Sequence, residues 1–571
     1  MKKKNLVKKN CARFLALTMA TALLFTGCGK TEKKEEQTTK ETEKQTEEST
    51  EIQIEGEKVE AQIQTELNVI DDNYRNYYEI FVGSFCDSDG DGMGDLQGVI
   101  SKLDYINDGD PTTDTDLGCN GIWFMPICPS GSYHKYDVLD YCNIDKAYGT
   151  LDDFKQLIAE CDKRGIKVVV DLVMNHSAVG HEWFKTARKY LEALPEGQEP
   201  NVAECKYVDY YNFVKGEQVG SYHRAGTSDY YYEATFSVSM PEMNLENPEV
   251  RKEFEQIAKF WLDLGVGGFR LDAAKEFYSG NTERSTAVLK WFNDYVKSVD
   301  PEAYIVAETW TMDYDRYLES GINSAFDFSY TQFDAIIPSV AHGNLPSYGG
   351  SFFADSLIST QELLSGYTES MPAIFIGNHD IDRVANLLAF TPEKIKFAHG
   401  LLCLTNGSPF IYYGDELGMG GSGADENKRS PMIWSDTDKT GMTNGPVNMD
   451  DKYVIMKFES VEKQLEDETS ILNYVKDAIK LRNIFPEIAR GTIEKITDVT
   501  DTDICAITKT YNDSKIIILA NSNKKESKVV ELSRANYGYT CIQGMLTVGE
   551  AEPYQVEDSI VLPPNSIVVL K

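Results

Sequence analysis

Three carboxylates stand at the ends of three short apolar runs: Asp272 in GFRLDAAKE, Glu308 in YIVAETW and Asp380 in IFIGNHD. Each run is rich in Val, Ile or Phe and reads as a buried strand. Charge at the end of a buried strand implies that something is bound or reacted there. In a parallel barrel the C-terminal strand ends form the active-site rim. Carboxylates converging on such a rim suit cleavage of a glycosidic bond, where one carboxylate attacks carbon and one acid protonates the leaving oxygen.

The elements that must hold these acids begin near Tyr74, where strand-like and helix-like segments start to alternate. That alternation is the pattern of a parallel α/β fold. Strand candidates follow at 77–85, 121–127, 167–173, 268–273, 303–309, 324–328, 373–378 and 409–416, with helical periodicity in most gaps, as in 151–165 and 250–265. Gly165 supplies a C-cap signal before the third strand. Eight strands with crossover helices predict an α/β fold, a closed (β/α)8 TIM barrel over 74–488. The gap at 174–247 is too long for a simple loop and predicts an inserted domain after strand three. After a last helix near 467–484, short β-like runs such as ICAITKTY and KIIILANS predict a C-terminal antiparallel β-sandwich domain over 489–571.

The 571 residues carry 56 Lys and Arg against 91 Asp and Glu, a net charge of −35. This argues against nucleic acid or an anionic membrane surface as a partner and fits a neutral ligand. Lys2, Lys3, Lys4, Lys8 and Lys9 precede the apolar run Phe14–Phe25, too short to span a bilayer comfortably, and Thr26-Gly27 precede Cys28. Residues 1–27 therefore read as an export signal resembling that of bacterial lipoproteins, with Cys28 as the lipidated residue. Residues 28–73 are mostly Lys, Glu, Thr and Gln and read as a disordered tether. Membrane contact is then expected only through the lipid, at the extracellular face of a bacterial membrane, with the body a monomer. Setting Cys11 and Cys28 aside leaves nine cysteines without any CxxC pair, so there is no zinc or redox signature.

Seven short motifs occur in order: GCNGIWFMPI (118–127), DLVMNH (171–176), MPEMNL (240–245), GFRLDAAKE (268–276), AETW (307–310), FIGNHD (375–380) and PFIYYGDELGM (409–419). Together they resemble the α-amylase family, glycoside hydrolase family 13, over about 75–571. The resemblance implies that Asp272 is the nucleophile, Glu308 the general acid and Asp380 the third acid, which binds sugar hydroxyls. It implies that Arg270 holds Asp272 ionised, that His176 and His379 bind hydroxyls, and that Tyr136, with His134 beside it, forms an aromatic platform. Lys275 matches a residue on the leaving-group side, while Asp171 is read as shaping the barrel mouth.

DSDGDGMGD (87–95) places oxygen donors at alternate positions with Gly between them, which suits Ca²⁺. It is not an EF-hand, because Gly98 stands where a bidentate Glu belongs and a strand precedes it. By resemblance to members with a calcium loop after strand one, the expected ligands are the side chains of Asp87, Asp89, Asp91 and Asp95 and the carbonyl of Met93. Glu276 stands where the family usually has His, a departure from the second calcium site that many members form with an Asn matching Asn175. The expected substrate is starch or a related maltodextrin, an α-glucan cut internally at α-1,4 bonds with retention. The alternatives are an α-glucosidase or transglycosylase on short malto- or isomalto-oligosaccharides, or a non-catalytic surface glycan-binding protein.

Overall fold

Short runs of β-branched and aromatic residues, each buried on both faces, form the parallel strands of the central sheet. The structure is a computed structural model that describes residues 52, 54–343, 345–367 and 370–571. In chain order the barrel strands are β1 (Tyr77–Ile80), β2 (Gly121–Phe124), β3 (Lys167–Leu172), β4 (Gly268–Leu271), β5 (Tyr304–Ala307), β6 (Ser324–Ala325), β7 (Ala373–Phe375) and β8 (Ser408–Tyr412). Neighbours pair in parallel from β6 through β5, β4, β3, β2 and β1 to β8 and β7. A parallel bridge between Phe326 and Ala373 closes the ring. Several expected strands end early. The run from Tyr77 to Phe85 leaves the sheet after Ile80, and Val82–Ser84 makes a 3₁₀ turn.

Local chemistry sets the helices between the strands. Leu151–Lys163 begins at a reciprocal capping box between Thr150 and Asp153. Gly165 then takes a left-handed φ of 70° before β3. Pro248–Asp263 starts with Asn247 as N-cap and Pro at the first helical position.

Alternation along each strand sorts its side chains. Tyr77, Trp123, Val169, Tyr304, Val306, Phe375 and Phe410 fill the lumen, with Tyr77 stacked on Tyr304 and Phe410 at 5.2 and 4.7 Å. Residues in the same alternation but further along reach the mouth: Glu79 on β1, Asp171 on β3, Arg270 on β4 with Asp272 just after it, and Glu308 after β5. The strand period thus converts a packed lumen into a ring of charge at one end.

The segment between β3 and Pro248 folds as a helix, Glu182–Ala193, and a three-stranded antiparallel sheet with Tyr230–Glu233 between Phe213–Lys215 and Tyr222–Arg224. After helix Ile471–Ile484, an antiparallel five-stranded sheet and a four-stranded sheet pack face to face over Ile504, Ile517, Leu519, Val530, Ile560 and Leu562, among others.

The signal segment, Cys28 and the tether up to residue 51 lie outside the described residues. The tether expected to run to residue 73 is corrected over its last part. Lys58–Val59 pairs with Gln555 and Val556 as the edge of the four-stranded sheet. The amides of Gln62, Gln64 and Asn68 then donate to the carbonyls of Ile542, Gln543 and Asn483. Arg490 holds Asp72 by a fork of bonds at 2.7 and 2.8 Å. These contacts run mainly through backbone, so a polar side-chain composition does not prevent them. The nine cysteines of the described residues are free thiols, eight of them buried.

Candidate active site

One guanidinium organises the mouth of the barrel. Arg270 is 1 % exposed, and its Nη1 lies 2.8 Å from Asp171 Oδ2 and 2.8 Å from Asp272 Oδ1. Its Nη2 lies 2.9 Å from Glu308 Oε2. The side chains of Asp272 and Glu308 keep 10 % and 18 % exposure, so both acids face the opening. Burial is the largest influence on all three carboxyls and pushes each above its usual range, with Arg270 opposing it. Asp171 is pushed up to about 7. For Glu308, the charges of Asp272 and Asp380 raise it further, as a general acid requires.

The turns beyond β4 and β5 are strained. Ala273 and Trp310 take left-handed φ values of 45° and 33°. The Ala273 amide donates to Glu308 Oε2 at 3.1 Å, and the Ala274 amide to the Glu308 carbonyl at 2.9 Å. The residue after Asp272 therefore fixes the position of Glu308.

Asp380 enters from the turn after β7. His379 Nε2 is 3.0 Å from Asp380 Oδ2, and Arg429 Nη2 is 2.8 Å from Asp380 Oδ1. Burial pushes Asp380 up, but His379, and then Arg429 and Arg270, outweigh it and hold the carboxyl well below the usual range. Two acids of one mouth are thereby driven in opposite directions.

Tyr136 lies beside this group. Its hydroxyl is 2.7 Å from His379 Nε2 and 3.2 Å from Asp171 Oδ2, and its ring stacks on His379 at 5.7 Å. His134 accepts the Tyr136 amide at Nδ1, 3.1 Å away, and its ring lies 5.9 Å from that of Tyr136. Burial, then the charge of Arg429, lowers the His134 pKa. His176 is buried and pushed down to about 4 by burial, so it is neutral, and its Nε2 has no partner among the described residues. Lys275 lies on the turn Ala274–Tyr278, with its ammonium 3.7 Å from Glu276.

Two residues of this mouth were not singled out from sequence. Arg429 is 3 % exposed and ties Asp380 to the Tyr133 hydroxyl, 3.0 Å from its Nη1. Glu79 contacts His379 from inside the lumen. A lone acid within the apolar run YYEIF was a usable signal for Glu79. For Arg429, nothing in the local pattern points to a partner 49 residues away.

In the loop after β1, single carboxylate oxygens of Asp87, Asp89 and Asp95 lie within 4.8 Å of one another. Three hard oxygen donors at that spacing fit Ca²⁺. Asp91, expected to join them, lies outside this group, and its Oδ1 accepts the Met93 amide at 2.7 Å.

Beside Glu308 lies an apolar shelf. Trp310 is 56 % and Phe333 45 % exposed, with Phe328 between them at 6.5 and 6.2 Å. The Trp310 indole donates to Gln332 at 3.0 Å. Gln332, Asp380, Asp382, Leu387 and Lys428 line an open cavity of about 610 Å³.

Residues 79–491 match the family described as alpha amylase, catalytic domain. Alpha-amylase 3 of Dictyoglomus thermophilum is 35 % identical over 470 residues, covering 80 % of this chain and 86 % of that protein. An oligo-1,6-glucosidase of Parageobacillus thermoglucosidasius is 28 % identical over 535 residues, covering 78 % and 90 %. Among solved structures, Amy13B of Eubacterium rectale superposes with a TM-score of 0.84 at 43 % identity, covering 89 % of this chain and 97 % of that one.

Proposed function

This chain belongs to the alpha-amylase family of glycoside hydrolases, and from that premise we propose that it cleaves α-1,4-glucosidic bonds within starch and related maltodextrins, with retention of configuration. The observation that carries the chemistry is the single guanidinium in contact with both Asp272 and Glu308. A shared contact holds the acids near one bond, as a retaining mechanism with carboxyls about 5 Å apart requires. Asp272 attacks the anomeric carbon while Glu308 gives its proton to the departing glycosidic oxygen. The resulting glycosyl-enzyme is hydrolysed when Glu308, now ionised, takes a proton from water. Asp380 stays ionised beside His379 and Arg429 and accepts from sugar hydroxyls.

Internal cleavage needs room for several rings. The Trp310 and Phe333 shelf and the cavity beside Asp380 supply an open, partly apolar surface next to the acid. Alpha-amylase names among the relatives support the α-1,4 linkage, while the oligo-1,6-glucosidases keep short isomalto-oligosaccharides as the second reading. Soluble starch, pullulan, maltotriose and isomaltose separate the two. Short maltodextrins released from starch as α-anomers are expected, and cleavage of isomaltose alone would exclude the first reading. Trp310→Ala is expected to raise KM for long maltodextrins, since aromatic stacking on a neutral ring is lost, with a smaller change for maltotriose.

We also propose Ca²⁺ held by Asp87, Asp89 and Asp95, with the Asp91 carboxylate and the Met93 carbonyl as the remaining ligands expected from the sequence. Ion binding would stabilise the folded form by mass action. Chelation is expected to lower the melting temperature, and Asp87→Ala to abolish that response. A metal assay showing no calcium in the purified protein would remove the site. Lipidation of Cys28, with the enzyme at the outer face of a bacterial membrane, remains part of this reading. It is supported by the sequence around Cys28 and tested by detergent partitioning of wild type against Cys28→Ala.

A further inference from the structure

Glu79 places a full carboxylate inside the barrel. Tyr77 and Glu79 share the lumen face of β1, Tyr77 within the apolar layer and Glu79 one step nearer the mouth. Glu79 is 0 % exposed and lies in register between Trp123 of β2 and Tyr412 of β8. Its Oε1 is 2.5 Å from His379 Nδ1, and its Oε2 has no partner among the described residues. Burying a charge in such a place is expensive, and a buried ion pair seldom stabilises more than apolar residues of equal volume. Stability therefore does not account for this acid.

We propose that Glu79 is a positioning residue that grips His379 at Nδ1, so that Nε2 is presented to Asp380 and Tyr136 where sugar hydroxyls bind. The ring is held on every side. It is stacked on Tyr136 at 5.7 Å and edge-on to Trp123 at 5.6 Å, with Nε2 2.7 Å from the Tyr136 hydroxyl and 3.0 Å from Asp380. Burial alone would lower its pKa, but Asp380 and Glu79 raise it to about 9. Burial also raises the Glu79 carboxyl, with His379 opposing it, so the proton between Oε1 and Nδ1 is held by both groups, while Nε2 faces the Asp380 carboxylate and the Tyr136 hydroxyl. An imidazole gripped at one nitrogen by a carboxylate is fixed in ring orientation as well as in proton count.

The inference rests on the hydrolase reading of Asp272, Glu308 and Asp380, and not on the linkage cleaved. Glu79→Gln keeps size and hydrogen-bonding capacity and removes the charge. With a p-nitrophenyl maltooligoside, kcat is expected to fall about 10- to 100-fold with KM nearly unchanged. In substrate-free protein labelled with ¹⁵N-histidine, the His379 signal should lose its doubly protonated character at neutral pH. Glu79→Met, which fills the lumen with apolar volume, is the companion variant should the Gln protein fold poorly, and the same two changes are expected of it. A kcat within about twofold of wild type overturns the proposal, as does a loss of kcat with the His379 signal unmoved. A His379 signal that changes in Glu79→Gln while the wild type itself is inactive on every glucoside would sink the hydrolase reading instead.

Discussion

Glu308→Gln is expected to lower kcat on maltodextrins by about 10²- to 10⁴-fold, or roughly 3–5 kcal/mol of transition-state stabilisation. The fold should survive, because Gln is isosteric and can still accept from Arg270 and the Ala273 amide. The loss should depend on the leaving group. A glucosyl fluoride, which needs little protonation to depart, should suffer far less than a maltodextrin, whose leaving group is a sugar hydroxyl. Equal loss on both substrates would mean that Glu308 is not the proton donor. The pH profile gives a second check. Burial, with the nearby charges of Asp272 and Asp380 against that of Arg270, raises the Glu308 carboxyl above its usual range. The acid form therefore persists to higher pH, and the alkaline limb of kcat should lie above ordinary carboxylate titration. In Glu308→Gln that limb should disappear.

Arg270→Met is expected to destabilise the fold by about 3–5 kcal/mol at neutral pH, since removing one partner leaves buried charge uncompensated. Asp171, Asp272 and Glu308 would all lose their counter-ion. The dependence on pH follows from the raised carboxyls. Their unfolded values lie near 4, while Asp171 in the fold is pushed up to about 7. Below the unfolded values the carboxyls are neutral in both states and no charge is buried. As pH rises through the raised folded values, each proton lost places a charge in the mouth and stability falls. Without Arg270 those values rise further, so the deficit against wild type should be larger at pH 8 than at pH 5. Melting curves at the two pH values measure it, and an equal deficit at both would mean that the loss is one of packing.

The barrel was legible in the sequence because its strands are short apolar runs, three of them ending in acids, and because Gly165 marks the end of the helix before β3. Boundaries were less legible. The apolar run of β1 continues past Ile80, since residues packing outside the barrel look like residues inside it. Asp272, Glu308 and Asp380 stood out as charges at strand ends, and the structure brings them to one mouth. What gathers them was hidden. Contacts such as Arg429 to Asp380 and Glu79 to His379 join residues 49 and 300 positions apart, and nothing in a local pattern records such a pairing. Residues 54–73 were misread for the opposite reason: they dock through backbone groups, which composition does not report.

Those residues also determine how the protein answers a pull from its N-terminal side. Traction on the chain upstream of Lys58 meets the two-residue strand pairing first, then the amide bonds of Gln62, Gln64 and Asn68, and then the Asp72 fork on Arg490. The attachments lie in series and each is weak by itself, so they should peel one after another. Twenty residues peeled to full extension would lengthen the chain by roughly 65–70 Å. The strap then acts as a fuse: it yields while β1 and the ring of acids stay undistorted, and it can rewind when tension drops. Optical-tweezer pulling from the N-terminus should record small reversible steps of that total length well below the force that opens the barrel.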